Sequence, residues 1–290
     1  MPADQLIAVT GATGAVGSRV ASRLAAAGVP QRLVVRDAGR APQLAGADVR
    51  QASSYGARDE MREALDGVGT LFLIPAAESA DRVDQHRAAV DAAVAAGVPR
   101  IVYLSFFGAA PDATFTLARD HWATEEHIRA AGVRFTFLRM NLYMDFIASM
   151  VGPDGVLRGP AGDGRLAAIL RDDVAAAAAA VLLAGDHDGR TYDLTGREAF
   201  TLAEAAAALC AATGKAIRFE DESDEEAFAS RSSYGAPDWE VRGWVSSYQA
   251  IRDGSLARVS PHVRELTGRD PLTLAEHLRA QPASLDHVTG

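Results

Sequence analysis

The chain predicts an α/β fold: a Rossmann-type doubly wound parallel sheet with a smaller, mostly helical C-terminal lobe. Three observations carry this. Short apolar runs alternate with helical stretches through the first half, glycines stand where those helices should stop, and the pattern breaks after Tyr143 in the Gly/Pro-rich stretch VGPDGVLRGPAGDGR. The first unit is Leu6–Gly17, LIAVTGATGAVG, in which Leu6–Val9 has the length of a buried strand and Ala15–Ala27 reads as a helix ending at a Gly28 C-cap. Further strands are expected at Arg32–Arg36, Val49–Ala52, Leu71–Ile74, Ile101–Ser105 and Phe135–Arg139, with Gly67, Gly97 and Gly132 closing helices between them. This places a first domain at residues 1–145 and a second lobe at 146–290, discontinuous because Arg190–Leu194 alternates like a strand that returns to the main sheet. The lobe is otherwise read as helical. Thr201-x-x-Glu204 and Thr273-x-x-Glu276 are capping boxes, Glu220–Glu226 reads as a solvated loop, and Trp239, Trp244 and Tyr248 recur near helical spacing as packing residues.

Composition narrows the function classes. Acidic residues outnumber basic ones by 38 to 29, giving a net charge of -9, which disfavours a nucleic-acid surface. The start MPADQ has no signal-peptide character and no run approaches the roughly 18 apolar residues of a membrane span, so the expectation is a cytoplasmic protein with no membrane partner. Cys210 is the single cysteine, expected at a buried helix position, and the seven histidines show no metal-binding spacing, so no metal is expected.

The glycine turn points to a dinucleotide. Gly11 permits a tight turn, Gly14 lets the backbone approach a pyrophosphate, Gly17 lets the helix pack on the sheet, and Thr13, Ala15 and Val16 complete an anion site at the helix N-terminus. About 20 residues further on, the second strand ends in LVVRD. Arg36 is assigned to a ribose 2′-phosphate with Arg40 as a second charge, which favours NADP over NAD; Asp37 caps the short helix that follows. Ser53 is expected beside the adenine, and Ile74, Pro75 and Ala76 beside the nicotinamide ribose, because open α/β sheets bind ligands at strand C-termini.

The segments TGATGAVG, VVRD, YLSFFGA, HWATEEHIRAAGVRFTFLRMNLYMDF and LTGRDPLTLAEHL together resemble the NmrA-like, atypical short-chain dehydrogenase/reductases, in their NAD(P)H:quinone oxidoreductase-like branch. The resemblance spans nearly the whole chain, and His121-x-x-Thr124-Glu125 is its more specific part. It implies NADPH binding and a substrate cleft between a Rossmann domain and a smaller lobe. Short-chain dehydrogenases usually carry a Tyr and a Lys four residues apart; the corresponding positions here are Leu117 and His121, and no Tyr-x-x-x-Lys occurs in the chain. Ser105 stands where the family's serine assists a carbonyl or the nicotinamide, or else caps the loop; His121 donates a proton, bonds a ribose hydroxyl, or fixes its helix. Phe106, Phe107 and Tyr143 are candidates for an aromatic wall beside a flat acceptor, and Asn141 either faces substrate or holds its loop.

The resulting expectation is an NADPH-dependent oxidoreductase passing hydride to a quinone-like or conjugated carbonyl acceptor without a Tyr–Lys pair, acting as a monomer or homodimer. The alternatives are a non-enzymatic NADP-binding redox sensor and a pathway-specific reductase or cyclising enzyme of the same fold.

Overall fold

The structure, a computed structural model, describes residues 6–281. Its main sheet has seven strands in the order β3-β2-β1-β4-β5-β6-β8: β1 (Ile7–Thr10), β2 (Gln31–Val35), β3 (Ala47–Gln51), β4 (Thr70–Leu73), β5 (Arg100–Phe106), β6 (Arg134–Met140) and β8 (Arg190–Leu194). The first six pair in parallel, with α1 (Ala15–Ala26), α2 (Arg58–Ala64), α3 (Arg82–Ala95) and α4 (Thr116–Ala130) between successive strands, and only a short 3-10 turn at Ala38–Arg40 between β2 and β3. Parallel strands buried on both faces favour near-continuous apolar runs, and polar residues within them must find hydrogen-bond partners. Accordingly β1, β4 and β5 are buried throughout, including Thr10, Thr70, Arg100 and Ser105. The strand order reverses between β1 and β4, and at this switch point Thr10 Oγ1 donates to the Phe72 carbonyl (3.2 Å) and accepts from the Ile74 N–H (2.9 Å).

The expected strands are present, with ends displaced. Arg36, Ala52 and Ile74 lie one residue beyond their strands, and β5 runs on through Phe106. Gly28, Gly67, Gly97 and Gly132 all take positive φ after their helices; Ala27 is the cap of α1 and Gly28 follows it.

Two compact units divide the chain: one comprises the residues up to Pro111, Asp120–Met140 and Asp172–Asp193, the other Asp112–Arg119, Asn141–Arg171 and the chain from Leu194. The first therefore holds most of α5 (Arg171–Leu183) as well as the returning strand. The reason is visible at both ends of that helix. Arg23 of α1 pairs with Asp172 (2.8 Å), and buried Arg100 donates to the carbonyls of Val181 (3.2 Å) and Ala184 (3.3 Å), which a helix terminus otherwise leaves unpaired. Conversely, Asp112–Arg119 falls in the second unit, where Thr116 N–H donates to Ser246 Oγ (3.1 Å).

The second unit is not wholly helical. Besides α6 (Leu202–Thr213), α7 (Asp224–Arg231), α8 (Asp238–Arg252), α9 (His262–Thr267) and α10 (Leu274–Ala280), it contains a parallel two-stranded sheet of β7 (Val156–Gly159) and β9 (Arg218–Asp221). Gly159 is required there because a Cβ would strike the Tyr248 ring. The acidic stretch is consequently not a solvated loop: Glu220 and Asp221 finish β9, Glu222 is buried against Arg231 (2.8 Å), and Ser223 with Glu226 forms a capping box on α7. Cys210 is half-buried on α6, its thiol donating to the Ile217 carbonyl (2.9 Å), because it faces the turn towards β9. Trp244 packs on Ala227, Val241 and Val245, Arg231 stacks on the Tyr248 ring (5.1 Å), and Trp239 is half-buried. Among the described residues no helix is long and apolar enough to cross a membrane.

Arg100→Met should lower unfolding free energy by about 2–4 kcal/mol, because it strands the Val181 and Ala184 carbonyls and leaves Asp188 (3.2 Å away) with the more exposed Arg134 as its cationic partner. The measurement is a urea midpoint, expected to fall at unchanged slope.

Candidate cofactor and active site

The turn between β1 and α1 is shaped by what it omits. Gly11 has φ +60°, and a side chain there would press on Ile74 Cγ2 (3.2 Å). A Cβ at Gly17 would collide with the Gly11 carbonyl, so the helix can leave the sheet this closely only with glycine at that position. Gly14 is the N-cap of α1, in extended conformation; no side chain caps the helix and no acid lies in its first turn. Thr13, Gly14 and Ala15 are exposed, and Val16 is buried beneath them. The result is an open helix N-terminus presenting unpaired N–H groups and the positive end of the dipole, a geometry that fits a diphosphate.

Beyond β2, Arg36 and Arg40 are exposed, and among the described residues neither has an acidic side chain within ion-pairing distance. Arg36 sits in the bend past the strand, not within it. Asp37 accepts from the Gly39 N–H (2.9 Å) and so caps the 3-10 turn that ends at Arg40. Ser53 is exposed, and both its N–H (2.6 Å to Glu60 Oε2) and its hydroxyl bond the Glu60 carboxylate. Tyr55, at the end of the Gln51–Tyr55 stretch expected to border the adenine, donates to the Ile74 carbonyl (2.6 Å), and burial pushes its pKa up to about 12 despite Thr10 and Arg36 nearby.

Ile74, Pro75 and Ala76 are half-buried at the end of β4. His86 Nε2 accepts from the Ala76 N–H (2.9 Å) and Arg82 Nε donates to the Ala76 carbonyl (3.1 Å). Since Nε2 is the acceptor, His86 carries its proton on Nδ1, which donates to Thr124 Oγ1 (2.9 Å). Burial and then Arg82 hold its pKa down to about 3.

Helix α4 is where His121-x-x-Thr124-Glu125 acquires meaning, because each residue of the motif reaches a different element. His121 is buried; its Nε2 faces Arg82 Nη2 (3.3 Å), so its Nδ1–H donates to the Tyr103 hydroxyl of β5 (2.9 Å). Burial, then Arg82, His86 and Arg139, push its pKa well below the ordinary value. A neutral imidazole whose N–H is held by Tyr103 has no proton to give at neutral pH, which corrects that expectation; His121 fixes α4 against β5 and α3. Thr124 takes the His86 bond and donates to the Asp120 carbonyl (2.8 Å). Glu125, fully buried, is gripped by the Arg139 fork (2.8 and 2.7 Å) and accepts the Ser105 hydroxyl proton (2.6 Å). Ser105 thus bonds α4 instead of the loop, and its donor is spent. Tyr103, Arg82, His86, Glu125 and Arg139 were missed as site residues; only the spacing of the motif on α4 signalled any of them.

Phe106 and Phe107 are both buried, Phe106 with its ring 6.0 Å from His121. Tyr143 and Asn141 belong to the second unit. Arg171 stacks on the Tyr143 ring (4.3 Å), while Asn141 is buried, donating to the Leu256 carbonyl (3.0 Å) and accepting from the Leu142 N–H (2.8 Å), so it holds its loop. Among the described residues no cluster of His, Cys, Asp or Glu is placed to hold a metal ion.

His86 and His121 make a pH signature. Their folded pKa values are depressed, so between pH 6.5 and 5 the unfolded chain takes protons that the folded chain refuses, and stability falls as pH falls. Unfolding free energy should drop for His86 with a slope that rises towards about 1.4 kcal/mol per pH unit across this window, and His121 contributes in the same direction. Urea titrations at stepped pH should show it, with His86→Gln removing close to one proton from the slope.

The model of the NmrA-like family matches residues 3–236. Quinone oxidoreductase 2 of Escherichia coli is 37% identical over 278 residues, covering 93% of this chain and 96% of that protein. The (4-alkanoyl-5-oxo-2,5-dihydrofuran-3-yl)methyl phosphate reductase of Streptomyces griseus is 38% identical, covering 91% and 93%. Among solved structures, an NADPH-dependent quinone oxidoreductase from Escherichia coli complexed with NADPH superposes with a TM-score of 0.87 at 36% identity, covering 94% of this chain and 99% of that one. By the extent of the family match and by these identities, the chain belongs to the NmrA-like family.

Proposed function

We propose that the chain is an NADPH-dependent oxidoreductase that reduces quinone-like or conjugated carbonyl acceptors. The observation that carries the cofactor is the uncapped N-terminus of α1 over a turn closed to side chains at Gly11 and Gly17, with Arg36 and Arg40 exposed beyond β2 and, among the described residues, without an ion-pair partner. Gly14 and the N–H groups of Ala15 and Val16 hold the diphosphate, Thr13 borders it, Arg36 and Arg40 meet the 2′-phosphate, Ser53 meets the adenine, and Ile74–Ala76 support the nicotinamide ribose. A bound reduced nicotinamide supplies a hydride. The relatives support the acceptor class: one is named for quinones and the other for an oxo-dihydrofuran whose ring carbonyl is conjugated.

The chain's own side chains offer orientation more than acid catalysis. Ser105 donates its hydroxyl hydrogen bond to Glu125, and His121 is neutral and engaged. An acceptor whose reduced form is a stabilised phenolate or enolate suits such a site, because it can take its proton from water.

Gly14→Asp separates binding from folding. An aspartate N-cap stabilises α1 by a few tenths of a kcal/mol or leaves it unchanged, yet puts a negative charge where the diphosphate sits. NADPH affinity, read by fluorescence titration, should fall by about 100-fold or more while the melting temperature holds. For the reaction, purified protein is mixed with NADPH or NADH and a panel of quinones and conjugated carbonyls, following reduced-nicotinamide absorbance. Faster oxidation with NADPH is expected; a cofactor that binds and is oxidised by no acceptor sinks the proposal.

A further inference from the structure

The backbone at the end of β4 has almost no free hydrogen-bonding capacity. The Ile74 N–H donates to Thr10 Oγ1 (2.9 Å), the Ile74 carbonyl accepts from Tyr55 (2.6 Å), the Ala76 N–H donates to His86 (2.9 Å), and the Ala76 carbonyl accepts from Arg82 (3.1 Å). Pro75 has no N–H. Its carbonyl is the one backbone polar group of Ile74–Ala76 without a partner among the described residues. The segment lies beside the glycine turn, since the missing side chain of Gly11 is what admits Ile74 Cγ2.

The groups that clamp Ala76 are themselves fixed. His86 is fully buried and tied to Thr124; Arg82 is 6% exposed, facing His121 Nε2 (3.3 Å) and Asp120 Oδ2 (3.5 Å). A surface loop usually leaves its backbone to water. Here a buried imidazole and a buried guanidinium, both costly to desolvate, are spent on the two backbone groups of one alanine.

We infer that His86 and Arg82 are positioning residues for the nicotinamide riboside half of the dinucleotide. By holding Ala76 from both sides they present the Pro75 carbonyl as the single hydrogen-bond acceptor of the shelf and the Pro75–Ala76 surface as its apolar floor. This rests on the cofactor reading above, and it assigns the acceptor to Pro75 because the neighbouring carbonyls are occupied.

The test compares two ligands by calorimetric titration: NADPH, and adenosine 2′-phosphate 5′-diphosphate, which lacks the nicotinamide riboside. His86→Leu cannot accept the Ala76 N–H, and should weaken NADPH about tenfold while leaving the fragment within about twofold. His86→Gln, whose amide oxygen can accept that bond, should recover part of the loss. Equal weakening of both ligands, or no change in either, overturns the positioning role while the wild-type protein still binds NADPH. A wild-type protein that binds neither ligand overturns the cofactor reading and this inference with it. If His86→Leu does not fold, Arg82→Lys carries the same comparison, since it keeps the charge beside Asp120 but shortens the reach to the Ala76 carbonyl.

Discussion

A carboxylate with no solvent exposure is tolerated only when its lone pairs are filled, and Glu125 is in that position. Arg139 from β6 and Ser105 from β5 fill them, which binds the ends of two adjacent strands to α4. One turn earlier, His121 ties the same helix to Tyr103 and Arg82, and Thr124 ties it to His86. A half-satisfied network of this kind would be worse than an apolar core. The requirement that every buried polar group find a partner therefore fixes the relative heights of β5, β6, α3 and α4, and through Arg82 and His86 it reaches the backbone beyond β4.

The helix termini show the opposite treatment. Helices α6, α7 and α10 each begin with a reciprocal capping box, Thr201 with Glu204, Ser223 with Glu226, and Thr273 with Glu276. The cap of α1 is Gly14, which can offer its N–H groups nothing. Relative to glycine a polar cap adds only a few tenths of a kcal/mol, so an open α1 costs the fold little stability. Side-chain caps are absent from α2, α3, α8 and α9 as well; what distinguishes α1 is a glycine N-cap over a turn closed to side chains at Gly11 and Gly17.

Legibility in the sequence followed the range of the interactions. The glycine turn, the six alternating strands and the helix stops at Gly28, Gly67, Gly97 and Gly132 depend on residues a few positions apart, and they were readable. Strand ends slipped by a residue because Arg36 and Ile74 are compatible with strand and differ only in whether a neighbouring strand reaches them. The small sheet was hidden because VLRG and RFED are four residues each and pair across about 60 positions. The network was hidden for the same reason: His86 and Thr124 are 38 residues apart, Arg82 and His121 are 39 apart, and a lone histidine on an alanine-rich helix announces no partner. The motif on α4 was visible as a pattern, but its chemistry resides in residues it does not contain.

That chemistry bears on the missing Tyr–Lys pair. In the usual arrangement a lysine lowers a tyrosine pKa so that the phenol can protonate a carbonyl oxygen. Here the helix position four residues after Leu117 is His121, and what it contacts is a tyrosine from the sheet, Tyr103. Burial drives the Tyr103 pKa upward while Arg82 pulls weakly the other way, so this phenol is a poorer acid than a free one. A tyrosine and a basic residue are present and hydrogen-bonded, yet the burial that makes them useful as a brace removes them from acid catalysis. The same helix thus braces the sheet at the position where the usual arrangement carries its lysine.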